Sequence, residues 1–223
     1  MHKIKLLCFT ILCVITVWSG FFIERFKPNG PEVLTENWQI LTSDTGTAEF
    51  EQGLFYLSSS NANKAIEFIQ VVKLKQNPNY LKLKGSLKSL NVIPGQQKWN
   101  KARLLLLQYD ASGERLQMPH EVISISGSRD WGDYSESFVV SPLTSELNVI
   151  VKLSQCTGSI WVKNLSLIPV VKTQFYIWLK RILFSSWFLF FIFLFYPHTP
   201  TKKHIYPQIV LCSCVIGILL IST

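Results

Sequence analysis

Two long apolar stretches, Ile4–Ile23 and Phe175–Ile221, enclose a polar segment of roughly 150 residues. A helix needs about 20 apolar residues to cross a bilayer, and the first stretch meets this length with Lys5 as its only charge. The arrangement predicts a central domain held at a membrane by helices at both ends of the chain. This constrains the fold more tightly than any short motif.

The first stretch has two interpretations, an uncleaved anchor and a secretory signal peptide. A cleavable signal has an apolar core of about 7–15 residues followed by small residues. This core instead continues through Trp18, Phe21 and Phe22. We therefore predict a transmembrane signal anchor over residues 1–23, with cleavage as the alternative.

The second stretch divides into two apolar runs, which prolines and the basic loop PHTPTKKH separate. We predict a second transmembrane helix over residues 172–196 with a basic interfacial start, a cytoplasmic loop at 197–204 and a third transmembrane helix at 205–223. A re-entrant hairpin in place of two separate spans remains the alternative.

Short basic flanks indicate how the chain is oriented. Lys3 and Lys5 precede the first helix, and Lys202 and Lys203 lie between the last two. Because cytoplasmic flanks are enriched in Lys and Arg, this predicts a multi-pass protein of the bacterial inner membrane, with the central domain in the periplasm or outside the cell. Cations also occur at the domain-side ends of the apolar stretches, so charge alone does not determine the orientation. We base the orientation on the resemblance of the N-terminus to a secretory signal.

The formal net charge of +8 does not indicate nucleic-acid binding. All 14 acidic residues lie in the central domain, 24–171, together with 15 of the 22 Lys and Arg residues. The domain is therefore nearly neutral, and the excess cations flank the membrane segments, as topology requires. No nucleic-acid partner is predicted.

Catalytic and metal-binding motifs find little support in the domain. His120 is its only histidine and Cys156 its only cysteine, so a disulfide within it is excluded and a buried free thiol is expected. There is no phosphate-binding glycine loop and no G-x-S-x-G motif. We predict a protein that is not an enzyme and has no cofactor. Asp130, Asp133 and Glu136 are oxygen donors suited to a structural calcium ion, but nothing else in the sequence supports one.

Apolar and polar residues alternate along the domain in short runs separated by turn residues, which is typical of half-buried antiparallel strands. The predicted strands are Ala65–Leu74, Tyr80–Val92, Lys101–Tyr109, Ser135–Val140, Leu147–Leu153 and Ser159–Ile168. About eight strands in a segment of this length predict an all-β sandwich with helices confined to the chain ends.

The order ARLLLLQYDASG, SRDWGDYSESFVVSP and ELNVIVKLSQCTGSIWVKNLSLIPV resembles the second half of a galactose-binding-like jelly roll, the fold of many carbohydrate-binding modules. The residues that match its closing strand are Gly158, Ile160, Trp161, Val162, Leu165 and Leu167. Lys163 and Asn164 stand where that family often has acids, which argues against a calcium site here. The resemblance implies a jelly-roll sandwich, while the ligand must be argued from surface residues.

One candidate surface is basic. Lys82, Lys84 and Lys88 alternate with leucines and share one strand face, and Lys73 and Lys75 are predicted to project similarly from the preceding strand. Residues 64–103 contain nine cations and a single acid. We predict a face for anionic glycans or lipid headgroups. The alternative is a solubilising face that prevents edge-to-edge strand pairing.

A second candidate is the predicted loop Arg129–Tyr134. Sugar recognition needs an aromatic ring beside polar groups, because a pyranose has both an apolar face and hydroxyls. We therefore predict Arg129, Trp131 and Asp133 as ligand-binding residues, with Trp99 as a further ring. The alternative role for Trp131 is a lid on the core, and Trp161 is predicted to lie inside the core.

Two functional hypotheses follow. The first is a membrane-anchored binding module for a cell-envelope or extracellular glycan. The second is an assembly subunit whose domain and tail helices dock on a membrane-protein partner in an envelope transport, polysaccharide-export or VanZ-like resistance complex. The small residues of Cys212–Gly217 permit close helix packing and favour the second hypothesis somewhat.

Overall fold

The computed structural model describes residues 2–41, 46–74 and 78–195. Pro28–Val171 forms one compact unit, and the two apolar helices belong to another. The elements in chain order are α1 His2–Phe22, β1 Phe26–Pro28, β2 Gln39–Leu41, β3 Gly46–Glu51, β4 Leu54–Ser59, β5 Ile66–Lys73, β6 Tyr80–Ile93, β7 Ala102–Tyr109, β8 His120–Ile125, β9 Gly127–Val139, β10 Glu146–Leu153, β11 Thr157–Lys172 and α2 Gln174–Phe195.

By length and composition, α1 and α2 each contain a segment suited to crossing a bilayer, Lys5–Phe22 and Gln174–Ile192. The two helices pack against each other. The buried Trp187 indole Nε1 donates a hydrogen bond to Thr16 Oγ1 at 3.1 Å, and the Phe9 ring lies 6.0 Å from that of Trp187. The predicted loop 197–204 and third span 205–223 lie outside the described residues.

Two antiparallel sheets form the domain and confirm the predicted β-sandwich. Sheet A has the strand order β3-β4-β11-β6-β9, with β1 also pairing with β11. Sheet B has the order β2-β5-β10-β7-β8. Some consecutive strands pair within one sheet, as β3 with β4 and β7 with β8, whereas others, such as β5 and β6, lie in different sheets.

Alternation along the strands places one side of each sheet in a common core. Leu57 and Ile160 of sheet A meet Phe68, Leu104 and Val149 of sheet B, and all five are fully or almost fully buried. Because the core draws on both sheets, the outward residues of the two sheets form separate surfaces on opposite sides of the domain.

The hairpin of β3 and β4 was not among the predicted strands. Its turn residues Gln52 and Gly53 both have positive φ, 48° and 79°. Two successive residues with positive φ are the mark of a type I′ hairpin turn, for which Asn-Gly is the strong sequence signal. Gln-Gly carries that signal only weakly.

The segment Arg129–Tyr134, predicted as a loop, lies within the edge strand β9. The prediction failed because the first half of β9 is exposed on both sides and shows no apolar alternation. Strand β11 begins at Thr157, two residues before the predicted start at Ser159.

A buried amide contacts the domain's histidine. Gln108 Oε1 accepts hydrogen bonds from Ser141 N at 2.9 Å and Thr144 Oγ1 at 2.7 Å, so the other end of the amide is nitrogen. Gln108 Nε2 donates to Val139 O at 2.9 Å and lies 2.9 Å from His120 Nε2. That shorter contact favours a neutral ring whose Nε2 accepts the hydrogen bond, whereas the longer contact of the same nitrogen with Gln117 Oε1, at 3.2 Å, would favour a protonated Nε2.

We expect this arrangement to make stability depend on pH. Burial lowers the pKa of His120, against a smaller opposing effect of the Glu136 charge. The unfolded chain binds the proton more readily, so the stabilisation is complete above the unfolded pKa of about 6.5 and is lost as the pH falls from there to the lowered folded pKa. Between these two pKa values, the free energy of unfolding measured in urea should depend more steeply on pH for wild type than for His120→Gln. Equal slopes would contradict the assignment.

Candidate functional site

The outward surface of β4, β11, β6 and β9, here called face A, gathers most of the predicted site residues. β6 lies at its centre, between β11 and β9. The backbone register places Ser86 beside Lys163 and Asp133, and Lys84 beside Ser166 and Ser135. Lysines and small hydroxyl residues therefore alternate along and across the face.

Both neighbours of β6 contain a bulge at this face. In β11 the register shifts between Lys163 and Ser166, and Asn164 adopts a positive φ of 54°. In β9 the register shifts opposite Lys88, at the level of Trp131. Bulges bend a strand and redirect its side chains, and they occur often next to functional sites.

Trp131 lies on face A and is 38% exposed. Lys163 Nζ sits 4.2 Å from the centre of its ring, a cation–π distance that orients the indole. Trp131 on β9 and Lys163 on β11 lie on either side of β6. The β6 residue beside Lys163 is Ser86, which has a small side chain. Ser86 Oγ donates to Asp133 Oδ1 at 2.5 Å, which also fixes Asp133. The prediction of Trp131 as a buried lid does not fit this exposure.

Two hollows flank the β11 bulge and share Asn164 and Leu165 as lining residues. The first, about 500 Å³, lies over β6 and is lined by Lys82, Lys84, Gly85, Ser86, Asp133, Tyr134, Ser135, Asn164, Leu165 and Ser166. The second, about 590 Å³, is lined by Glu32, Leu34, Thr35, Glu36, Trp38, Phe50, Gln52, Gly53, Leu54, Phe55, Trp131, Lys163, Asn164 and Leu165. The two hollows adjoin at these shared residues and are together called the groove of face A.

The segment before β2 forms a wall of the second hollow, and polar contacts with β11 and β5 hold it in place. Glu32 Oε1 accepts a hydrogen bond from Leu167 N at 2.6 Å, and its other oxygen bonds to the Ser166 hydroxyl. Gln70 Nε2 donates to Thr35 O at 2.9 Å. The wall is therefore fixed to β11 and β5, so the groove is formed before a ligand arrives.

The charges along face A are unevenly paired. Lys88 Nζ lies 3.4 Å from Asp130 Oδ1. The Trp131 backbone N–H, and then Lys88, lower the pKa of Asp130. Among the residues that the structure describes, Lys82 and Lys84 make no ion pair within 4.0 Å. The first hollow is lined by these two lysines and by one acid, Asp133, and therefore carries a net positive charge.

The basic surface predicted from sequence requires correction. Lys82, Lys84 and Lys88 share face A, but Lys73 lies on β5 of sheet B and projects from the opposite side of the domain. Lys75 lies outside the described residues. Because β6 is a central strand, protection of a sheet edge does not explain its lysines.

The other predicted aromatic residues lie elsewhere than expected. Trp99 is 57% exposed in the connection between β6 and β7 and does not line either hollow. Trp161 is not in the core. It stands between the buried Ile160 and Val162 and stacks on Tyr56 of face A at 5.2 Å. Arg129 is exposed on β9, next to Asp130.

Within residues 2–41, 46–74 and 78–195, no three His, Cys, Asp or Glu side chains converge as a metal-binding group. Asp130 and Asp133 are instead held by Lys88 and Ser86. Cys156 is the buried free thiol that was expected, and burial raises its pKa to about 11. A thiol with that pKa is almost entirely protonated at neutral pH and is a poor nucleophile.

No protein family matches the sequence, and no curated protein is similar to it. Structural neighbours include carbohydrate-binding modules. A CBM4 structure has 13% identity and a TM-score of 0.43 over 59% of this chain and 86% of its own. The CBM22-1 xylan-binding domain of Paenibacillus barcinonensis Xyn10C has 12% identity and a TM-score of 0.42 over 66% of this chain and 99% of its own.

Another neighbour is the enzymatically active domain of tailspike protein 4 from bacteriophage CBA120. It has 16% identity and a TM-score of 0.47 over 61% of this chain. The present chain spans only 20% of that tailspike chain. Similarity at these levels does not identify a ligand or an activity, so the function must be argued from face A.

Proposed function

We propose that this chain is a non-catalytic binding protein that holds a glycan in the groove of face A. The observation that carries the proposal is the exposed indole of Trp131, oriented by Lys163 beside a groove lined with hydroxyl, amide and amine groups. Such a ring can stack on the apolar face of a pyranose while the polar groups bond to its hydroxyls. Of the ligand-binding residues predicted from the sequence, Trp131 and Asp133 line the groove and are proposed to bind the glycan, whereas Arg129 lines neither hollow.

The order of the strands supports a jelly-roll description of the domain. From β4 onward, sheet A uses β4-β11-β6-β9 and sheet B uses β5-β10-β7-β8. From β4 to β11 each strand lies in the other sheet from the one before it, except that β7 and β8 pair in sheet B, and this is the strand order of a jelly roll. In this arrangement the central strands β6 and β11 support the groove, so its floor is rigid.

Membrane anchoring is part of the proposal. The hydrogen bond from Trp187 to Thr16 joins α1 to α2 in an otherwise apolar setting, where losing a polar partner is costly. This supports α1 as a retained anchor. The proposed location of residues 24–171 in the periplasm or outside the cell rests instead on the signal-like N-terminus with Lys3 and Lys5 before the first helix. An intact-mass measurement of the membrane-extracted protein tests the anchor. A mature chain that lacks residues 1–23 would contradict the anchor.

The binding proposal is tested by a glycan array probed with the full chain in lipid nanodiscs. Nanodiscs are preferred because detergents with sugar headgroups would compete for the groove. We expect selective binding to a small set of glycans. Uniform absence of binding by a folded chain would contradict the proposal and favour the assembly alternative, which crosslinking in membranes would then address.

A further inference from the structure

The first hollow holds two lysines that have no carboxylate partner. Lys82 and Lys84 both line it, and neither forms an ion pair with a described residue. Residues two apart on a strand share a face and are separated by roughly 7 Å. Two positive side chains on neighbouring outward positions repel each other, and an anion bound between them would offset this repulsion.

The carboxylates nearest in the fold are already engaged in hydrogen bonds. Asp133 accepts from Ser86 Oγ at 2.5 Å, and Glu32 accepts from Leu167 N at 2.6 Å and from Ser166. The residues beside Lys84 on the adjoining strands are Ser135 and Ser166, which are small and neutral. The lysines therefore stand in a polar recess that offers donors to an anion, and its one acid, Asp133, forms no ion pair with either of them within 4.0 Å.

The lysine recess continues into the hollow of the oriented indole. Both hollows share Asn164 and Leu165, and Trp131 lies at the level of Lys88 on β6. Four residues of strand separate that level from Lys84, about 13 Å. An oligosaccharide spans this distance and a single monosaccharide does not, so one ligand chain can contact both the ring and the lysines.

We propose that the glycan bound by face A is acidic, with a carboxylate or sulfate group held by Lys82 and Lys84 while another sugar ring stacks on Trp131. This inference rests on the proposed function and specifies the class of glycan that is bound. The recess supplies ammonium and hydroxyl donors, which are the groups that bind such anions. We expect binding of the acidic glycan to weaken as the ionic strength rises, because salt screens exposed charges.

The test uses the full chain in nanodiscs of zwitterionic lipid and an array of matched glycans. Each acidic glycan is paired with its carboxyl-reduced or desulfated form, which keeps the same backbone. Hydrogen bonds to a charged group contribute enough to predict a preference of about 10-fold or more for the acidic member. The Lys82→Gln/Lys84→Gln variant should lose this preference and bind the two members of each pair with about equal affinity.

The matched control is Lys73→Gln/Lys98→Gln, which removes the same charge from outside face A and should keep the preference. Equal binding of acidic and neutral forms by wild type would overturn the inference and leave the proposed function standing. If the Lys82→Gln/Lys84→Gln variant kept the preference for acidic glycans, the assignment of Lys82 and Lys84 as the residues that hold the acidic group would be wrong. Binding only to phosphatidylserine vesicles would replace the glycan with a lipid headgroup, and no binding to either form would remove the proposed function as well.

Discussion

Trp131→Ala is expected to weaken glycan binding by about 30-fold or more, since a central aromatic contact typically contributes about 2 kcal/mol or more to an interface. Trp131 is the exposed ring that lines the groove, and Lys163 orients it. Because the side chain is 38% exposed on an edge strand, its removal should create little cavity. Isothermal titration of the full chain in nanodiscs with the best glycan from the array measures the effect.

Trp99→Ala is the matched control for this prediction. Trp99 is also an exposed indole, but it lies in the connection between β6 and β7 and does not line the groove. We expect its removal to leave glycan affinity unchanged. Equal losses in the two variants would show that the contact is non-specific, and a large fall in the melting temperature of Trp131→Ala would show that the ring is structural.

The second large effect is expected from Gly158→Ala, at the start of β11. Gly158 has a φ of +109°, a conformation that side chains rarely adopt. A Cβ there would lie 2.4 Å from Asn91 O and 2.7 Å from Val92 Cα, which are backbone atoms of β6 and cannot turn away. Backbone strain and overpacking together predict a loss of about 3–5 kcal/mol in unfolding free energy.

Gly113→Ala separates the two causes. Gly113 has a similarly positive φ of +82°, but no atom lies within 4 Å of the added Cβ. Only conformational strain remains, so we expect a loss of about 1–2 kcal/mol. Circular dichroism during urea unfolding measures both variants. Similar losses in the two would show that close approach of β6 and β11 contributes little.

The predictable part of the fold was the set of half-buried strands. β5, β6, β7 and β10 alternate clearly between apolar and polar residues, and their observed bounds differ from the predicted ones by a residue or so. Alternation shows which side chains point outward but not which sheet a strand joins. For this reason Lys73 was placed with Lys82, although β5 and β6 belong to opposite sheets.

The sequence indicated which residues could bind a ligand, but it did not show which of them lie next to one another in the fold. The Trp131 segment and the β6 lysines were treated as two alternative surfaces, because nothing in the sequence shows that β9 pairs with β6. Lys163 was missed because its partner Trp131 is distant in sequence. The outward position of Trp161 was available from its spacing between Ile160 and Val162, but the jelly-roll resemblance favoured a core position.

The most direct test of the central claim is a hydrogen–deuterium exchange footprint of the full chain in nanodiscs, with and without the tightest glycan from the array. Binding in the groove should slow exchange in β9 from Gly127 to Ser135 and in the β11 bulge around Asn164. Strands β5 and β10 of sheet B should be unaffected. Protection confined to sheet B, or no protection under saturating glycan, would contradict glycan binding by face A.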